Sequence, residues 1–241
     1  MSVGIGLATG SIGSGSAVAI VTGLMTDLIE YWPLADLVGA NAGRVLTNNG
    51  GVTFTTGHID QCASFDGATQ YLDIAAPVSL QVDNQDFTVS CWMKINSSGI
   101  GSDCIGVAQG NQGWHISWRG SWDTWSFKVW KTDGTTSIAI GEGSLSLEPA
   151  TSDTWYYVVG WYTASDKKVH LRVNAGTEHV SDAAAFTPSA DGSNFTIGRR
   201  PDSAYPMDGY ISDVAFWKRA LTSDEIVALY AAGAGLAYPF A

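Results

Sequence analysis

MDGYISDVAFWKRALTSDEIVALYAAG, residues 207–233, is the stretch whose reading decides the fold. Its first half alternates: Tyr210, Ser212, Val214 and Phe216 fall on one face, and Ile211, Asp213, Ala215 and Trp217 on the other. A period of two built from β-branched and aromatic residues predicts a strand covered on both sides. A helix start follows. Thr222 stands as N-cap and Glu225 three residues on, the spacing of a capping box. Ile226, Leu229 and Tyr230 supply a short apolar stripe, and Gly233 is the expected stop. A long strand and one short helix, ending a chain otherwise full of strands, predict an antiparallel β-sandwich closed by a C-terminal helix.

Working outward, the same alternation recurs upstream. In DFTVSCWMKI (86–95), Phe87, Val89, Cys91, Met93 and Ile95 share a face. TWYYVVGWYT (154–163) and KVHLRVN (168–174) read as a hairpin around Ala164 to Lys167, with Val169, Leu171 and Val173 inward and His170 and Arg172 outward. Asn48-Asn49-Gly50-Gly51 is a strong turn signal, and Asp66-Gly67 supplies another turn between strands.

These blocks, in this order, resemble the laminin-G-like, concanavalin A-like jelly-roll domains. The resemblance is carried by Tyr31-Trp32-Pro33-Leu34, by Phe65-Asp66-Gly67 followed by Tyr71-Leu72, by residues 86–95, by Phe195-Thr196-Ile197-Gly198 and by the closing strand and helix. It spans roughly residues 30–233 and implies an all-β, antiparallel jelly-roll sandwich over residues 27–241. The tail Gly235-Leu236-Ala237-Tyr238-Pro239-Phe240 resembles that of laminin-G-like domains in bacteriophage and environmental virus proteins. It implies a virion setting.

Composition narrows the function classes. A net charge of −11 with only 12 Lys+Arg repels polyanions, which excludes nucleic acid as a natural partner. No apolar run approaches the ~18 residues of a membrane span. Residues 1–26 carry no charged side chain, and their apolar residues are broken up by Gly and Ser, unlike a secretory signal. The expectation is a protein made in the cytoplasm. Val3, Ile5 and Leu7 alternate with Gly ahead of a Gly/Ser-rich linker, so residues 1–26 read as an extended N-terminal arm. The arm is expected to pair with another chain of a multicopy assembly, or to lie along its own domain. Cys62, Cys91 and Cys104 show no metal-type spacing and read as buried thiols, with one disulfide as the alternative.

The segment GWHISWRGSWDTWSFKVW (113–130) holds five of the ten Trp. Trp114, Trp118 and Trp125 fall on faces that read as core. Trp122 falls in a polar turn with no core to fill. Aromatic faces stack on sugar rings, and polar neighbours hydrogen-bond hydroxyls. Trp122, Trp130, His115, Arg119 and Asp123 therefore form the candidate ligand patch, although an exposed Trp equally suits a subunit contact or idle exposure. The family resemblance further implies calcium at the sheet rim, with Asp36 and Asp213 as the carried-over ligands and Asn41 as a neutral one. The jelly roll also carries glycosidases, which need two carboxylates flanking the scissile bond. The five Glu show no such arrangement, and no nucleophile elbow or phosphate loop appears. The expected function is non-enzymatic: a virion decoration or fibre protein displaying a lectin-like domain. The alternatives are a purely structural cementing subunit or a stand-alone carbohydrate-binding module.

Overall fold

The computed structural model describes residues 23–240 apart from 98, 111–112, 132–136, 142–147, 183–186 and 189–191. Val3, Ile5 and Leu7 lie outside the described residues. Gly23–Thr26, the end of the stretch assigned to the arm, pack on the domain. Leu24 is buried, its carbonyl accepts from Trp217 Nε1 at 2.8 Å, and Arg219 donates to Gly23 O and Thr26 O.

Two antiparallel sheets face each other. The first contains β1 (Leu28–Trp32), β3 (Thr53–Thr56), β4 (Gln61–Asp66), β6 (Phe87–Ile95), β11 (Trp155–Thr163), β12 (Lys168–Val173), β13 (His179–Val180) and β15 (Asp208–Trp217), in the order β13-β12-β11-β6-β15-β4-β3 with β1 also on β15. The second contains β2 (Thr47–Asn49), β5 (Tyr71–Ile74), β7 (Asp103–Gln109), β8 (Trp114–Arg119), β9 (Thr124–Trp130), β10 (Ser137–Ile140) and β14 (Phe195–Ile197), in the order β10-β9-β8-β7-β14-β5-β2. The expected jelly-roll sandwich is present. Asn48–Gly51 and Asp66–Gly67 are not hairpin turns within one sheet, because each carries the chain from one sheet to the other. At the first turn both Gly50 and Gly51 take positive φ, which glycine tolerates without a Cβ clash.

Inward residues of both sheets interdigitate. Trp114, Trp118, Trp125, Phe127, Phe87 and Phe216 are fully buried between them. Trp114 stacks on Phe216 across the interface at 5.6 Å between ring centres. The sheets meet closely where Gly160 faces the Phe127 ring: a Cβ there would stand 2.4 Å from it. The three cysteines are buried free thiols, and burial pushes the Cys104 thiol up to about 12.

The closing strand departs from strict alternation. A β-bulge between Ser212 and Ala215 interrupts its pairing with β6, and Asp213 takes φ +53. The extra residue restores the inward direction one position later. Ile211, Val214 and Phe216 thus all face the inter-sheet core, whereas Ala215 and Trp217 face outward. The bulge also marks a handover along one edge of β15. β4 pairs with residues 208–211, and β1 with residues 214–217.

The outward face of the first sheet is covered by helix α1 (Ser223–Tyr230) and the tail, which bury Trp92, Trp217, Tyr157, Ile226, Leu229 and Phe240 in a second cluster. The capping box forms as expected, with Glu225 Oε2 also accepting from the Thr222 backbone N–H at 2.8 Å. The helix stops earlier than Gly233, at Ala231 in the left-handed conformation. Leu236 N–H then bonds back to Leu229 O at 3.0 Å, so the tail itself terminates the helix.

One buried carboxylate builds the first loop. Glu30 Oε1 accepts from the N–H groups of Tyr31, Asn41 and Ala42, and Oε2 from Arg44 N and Nη1. Removing it orphans four backbone donors in a dry setting. Glu30→Ala is expected to cost about 3 kcal/mol or more in urea unfolding. Thr222→Ala, which loses only the cap, is expected to cost about 1 kcal/mol.

Candidate functional site

Four connections converge at one end of the sandwich: β4–β5, β6–β7, β8–β9 and β14–β15. Pairing brings them together, since Asp103 stands opposite Arg119 and Asp208 opposite Asp66. The Asp66 carboxylate fixes its own turn by accepting from the N–H groups of Ala68, Thr69 and Gln70. Although its slight burial pushes the other way, these bonds hold it below the usual carboxylate range. The β8–β9 turn closes with Trp122 N–H to Arg119 O at 2.9 Å and with Asp123 at φ +51.

This turn presents Trp122 to solvent at 38% exposure. The β14–β15 loop presents Tyr205 at 37%, and these are the two exposed aromatic side chains among the described residues. Both lie on one guanidinium: Arg119 Cζ is 4.9 Å from the Trp122 ring centre and 5.4 Å from that of Tyr205. Arg119 is anchored from behind by Asp103 at 3.1 Å, which also accepts from the Ser121 hydroxyl. Arg200 lies over Tyr205 at 5.3 Å and is paired with Asp202. Beside this platform opens a cavity of about 330 Å³ lined by Gly67, Gly99, Ser102, Asp103, Cys104, Pro206 and Asp208. Asp208 Oδ1 accepts from Asn96 Nδ2 at 2.8 Å. Rings held flat by cations, next to carboxylate and hydroxyl groups, form a surface suited to a polyhydroxylated ring.

The five patch residues are divided by the fold. Arg119, Trp122 and Asp123 belong to this end. His115 and Trp130 pack together at 4.9 Å further along the outer face of the second sheet, His115 lying four residues, or about 13 Å, up the strand from Arg119. Trp130 is half-buried with Lys128 at 4.8 Å over its ring, whereas His115 is only 2% exposed. Burial first, and then the charges of Lys128, Arg119 and Arg200, hold the His115 imidazole well below its usual range, so it is neutral. Tyr205, Arg200, Asp103 and Asp208 were not singled out in the sequence. A Tyr-Pro pair in a polar loop, the same oddity that marked Trp122, was the available signal for Tyr205.

The two carried-over calcium ligands lie in different surroundings. Asp36 Oδ1 accepts from Val38 N–H at 2.7 Å in an exposed turn. Asp213 is buried and its Oδ1 accepts from the Tyr31 hydroxyl. Burial first, with Asp60 nearby, pushes the Asp213 carboxyl up to about 6, against hydrogen bonds that favour its charged form. Asn41 is engaged elsewhere, its amide donating to Leu28 O and its backbone N–H to Glu30. Among the described residues no three His, Cys, Asp or Glu side chains gather as a metal site. No helix among them is long and apolar enough to cross a membrane.

The sequence profile of the concanavalin A-like lectin/glucanases superfamily matches residues 65–227. No curated protein matches the chain. Among solved structures, the binding domain of Paraclostridial Mosquitocidal Protein 1 superposes with a TM-score of 0.69 at 15% identity, covering 86% of this chain and 52% of that one. Domain 4 of AbnA, an extracellular GH43 arabinanase from Geobacillus stearothermophilus in complex with arabinotriose, gives 0.62 at 16% identity, covering 83% and 97%. The binding domain of botulinum neurotoxin serotype G gives 0.65 at 12% identity, covering 84% and 50%. This chain thus spans about half the length of the toxin binding domains. At such identities the likeness establishes a shared sandwich fold alone.

Neutral His115 has a pH consequence. Above about pH 6.5 both folded and unfolded chains hold an uncharged ring; below it the unfolded chain takes up a proton that the folded ring refuses. Its contribution to stability is therefore lost as the pH falls. Relative to His115→Gln, the wild type is expected to lose unfolding free energy between about pH 7 and about pH 5, measured by urea titration at each pH.

Proposed function

Because this chain belongs to the concanavalin A-like lectin/glucanases superfamily, we propose that it is a non-catalytic glycan-binding domain whose site is the Trp122–Arg119–Tyr205 platform and the adjoining cavity. The observation that carries this reading is the pairing of the two exposed aromatic rings on one anchored guanidinium. Trp122 and Tyr205 offer faces for the C–H side of sugar rings. Asp103, Asp208 and Ser102 offer partners for hydroxyls. Holding the rings in place beforehand lowers the ordering cost of binding. Arg119 and Arg200 are each paired with a carboxylate, and the cavity itself is acidic, which favours neutral over anionic sugars. The similar fold of an arabinanase domain in complex with arabinotriose supports a carbohydrate ligand and makes arabinotriose a sensible first probe. Hydrolysis is disfavoured chemically. Asp103 is already engaged by Arg119 and Ser121, and Asp208 by Asn96, whereas a glycosidase needs two carboxylates free to flank the scissile bond.

The larger setting in this reading is a virion on which many copies are displayed, made in the host cytoplasm and tethered through Val3, Ile5 and Leu7. Weak single contacts would then add through multivalency. The supporting observation is the uncharged, Gly/Ser-rich composition of residues 1–26. A chain lacking residues 1–22 is expected to keep its melting temperature and lose co-sedimentation with particles. Retained co-sedimentation would remove the tether.

Trp122→Ala and Tyr205→Ala are each expected to weaken oligosaccharide binding about fivefold to tenfold in calorimetry, with melting temperatures unchanged. Unaltered glycan binding together with lost self-association, seen by analytical ultracentrifugation, would instead make the platform a subunit contact.

A further inference from the structure

A row of side chains crosses the outer face of the first sheet, between the covering tail and the loop end. Strand pairing sets it. Thr53 of β3 stands opposite Ser64 of β4, Ser64 opposite Tyr210 of β15, Tyr210 opposite Lys94 of β6, and Lys94 opposite Trp155 of β11. Residues paired in register share a face. Their chain neighbours Phe54, Ala63, Ile211, Met93 and Tyr156 turn to the inter-sheet core, so the row faces out. Five strands carry it across about 19 Å. His58 closes it on the tail side. Its ring lies 3.8 Å from that of Trp92 and 5.8 Å from that of Trp155, and its Nε2 bonds Gly233 O at 2.8 Å.

Lys94 is the centre of the row. Its Nζ lies 4.4 Å from the Tyr210 ring centre and 5.4 Å from that of Trp155, and the two rings stand 6.4 Å apart. The rings hold the ammonium in place without neutralising it. Arg44, Arg119, Arg200 and Arg219 are each paired with a carboxylate. Among the described residues Lys94 has no carboxylate in ion-pair range and no hydrogen-bond acceptor, and the hydroxyls of Tyr210, Ser64 and Thr53 make no hydrogen bond either. Thr53 is exposed, and Lys94, Tyr210, Ser64 and Trp155 are half-buried with none of their polar side-chain atoms closed to water.

Three demands define what fits. An ammonium without a counter-ion, in a chain of net charge −11, asks for one oxyanion. Two aromatic rings beside it ask for C–H faces. A line of unused hydroxyls asks for hydroxyls in return. A hexuronate, a sugar ring carrying a carboxylate, meets all three. A simple anion uses only the first, and a neutral sugar leaves the ammonium uncompensated. Asp66 and Asp208 lie one step toward the loop end on the same face, held by the 66–70 turn and by Asn96. Their charges keep an acidic chain along the row and off the loop end.

We infer that this row is a second glycan site, specific for an acidic sugar: a uronate carboxylate accepts from Lys94 Nζ, its ring lies against Trp155 and Tyr210, and the next sugar reaches the hydroxyls of Ser64 and Thr53. Nothing in the row uses Trp122 or Tyr205, so the inference stands apart from the platform at the loop end.

The test is calorimetric titration of the full chain with trigalacturonate, beside its fully methyl-esterified form, which keeps the rings and hydroxyls and loses the charge. At about 0.15 M salt, repulsion from charges beyond about 8 Å is screened and the contact at Lys94 is what remains. One-to-one binding of the acid is expected, with the ester at least about tenfold weaker, the loss of one charge-assisted hydrogen bond. Lys94→Gln should weaken the acid about tenfold and leave the ester as it was. Trp155→Ala should weaken both about fivefold. Thermal melts check that the variants fold. The comparison of acid with ester needs no variant and decides the matter if neither folds. The inference is overturned if the acid gives only the heat of dilution, if acid and ester bind alike, or if folded Lys94→Gln binds the acid as the wild type does.

Discussion

The bulge at Asp213 is the constraint on which the rest of the structure depends. β15 sits between β6 on one side and, on the other, β4 and then β1. A strand that kept strict alternation would aim either Ile211 or Phe216 out of the core, because side chains reverse at every residue. Inserting one residue lets both point inward and turns Trp217 outward to receive the helix and tail. The cost is a non-glycine residue at φ +53 and a carboxylate drawn into a dry setting. An Asp accepts that backbone conformation more readily than most residues. Its side chain is then held by Tyr31 of β1, the strand that begins pairing just beyond the bulge.

Each face of the first sheet solves a different problem. Inward, aromatic rings fill the space between sheets to the point that Gly160 is required opposite Phe127. Outward, the same sheet would expose Trp92, Tyr157 and Trp217, and α1 with the tail removes them from water. The second cluster is more polar at its margin, with Asp213, Ser90 and Tyr157 around a narrow recess. Apolar cover laid over a face that retains a carboxylate is what leaves a cleft.

The loop end follows a different logic. There, a hairpin turn of the second sheet and connections that cross between sheets leave side chains with no core to enter. Trp122 and Tyr205 come from loops more than eighty residues apart in sequence and are joined by Arg119. The arginine is immobilised by Asp103, its cross-strand neighbour. Rigidity here comes from strand pairing beneath the loops, the usual way a sandwich supports a binding surface.

The sequence by itself determined the elements: the strands at 86–95, 155–163, 168–173 and 208–217, the capping box at Thr222, and the core placement of Trp114, Trp118 and Trp125. Those features are local. Period-two alternation and cap spacing are written within a few residues, so they survive without tertiary knowledge. It also marked Trp122 as anomalous, since a large apolar ring in a polar turn conflicts with its neighbours. Only the tertiary structure decided what lies beside each residue. It separated His115 and Trp130 from Trp122, brought Tyr205 and Asp103 to it, moved the helix stop to Ala231, and placed Asp213 in a bulge under the tail. A bulge leaves no mark in an alternating pattern until two partners with different registers are paired to the same strand. A contact between distant loops is likewise fixed by sheet order, which no single stretch of chain encodes.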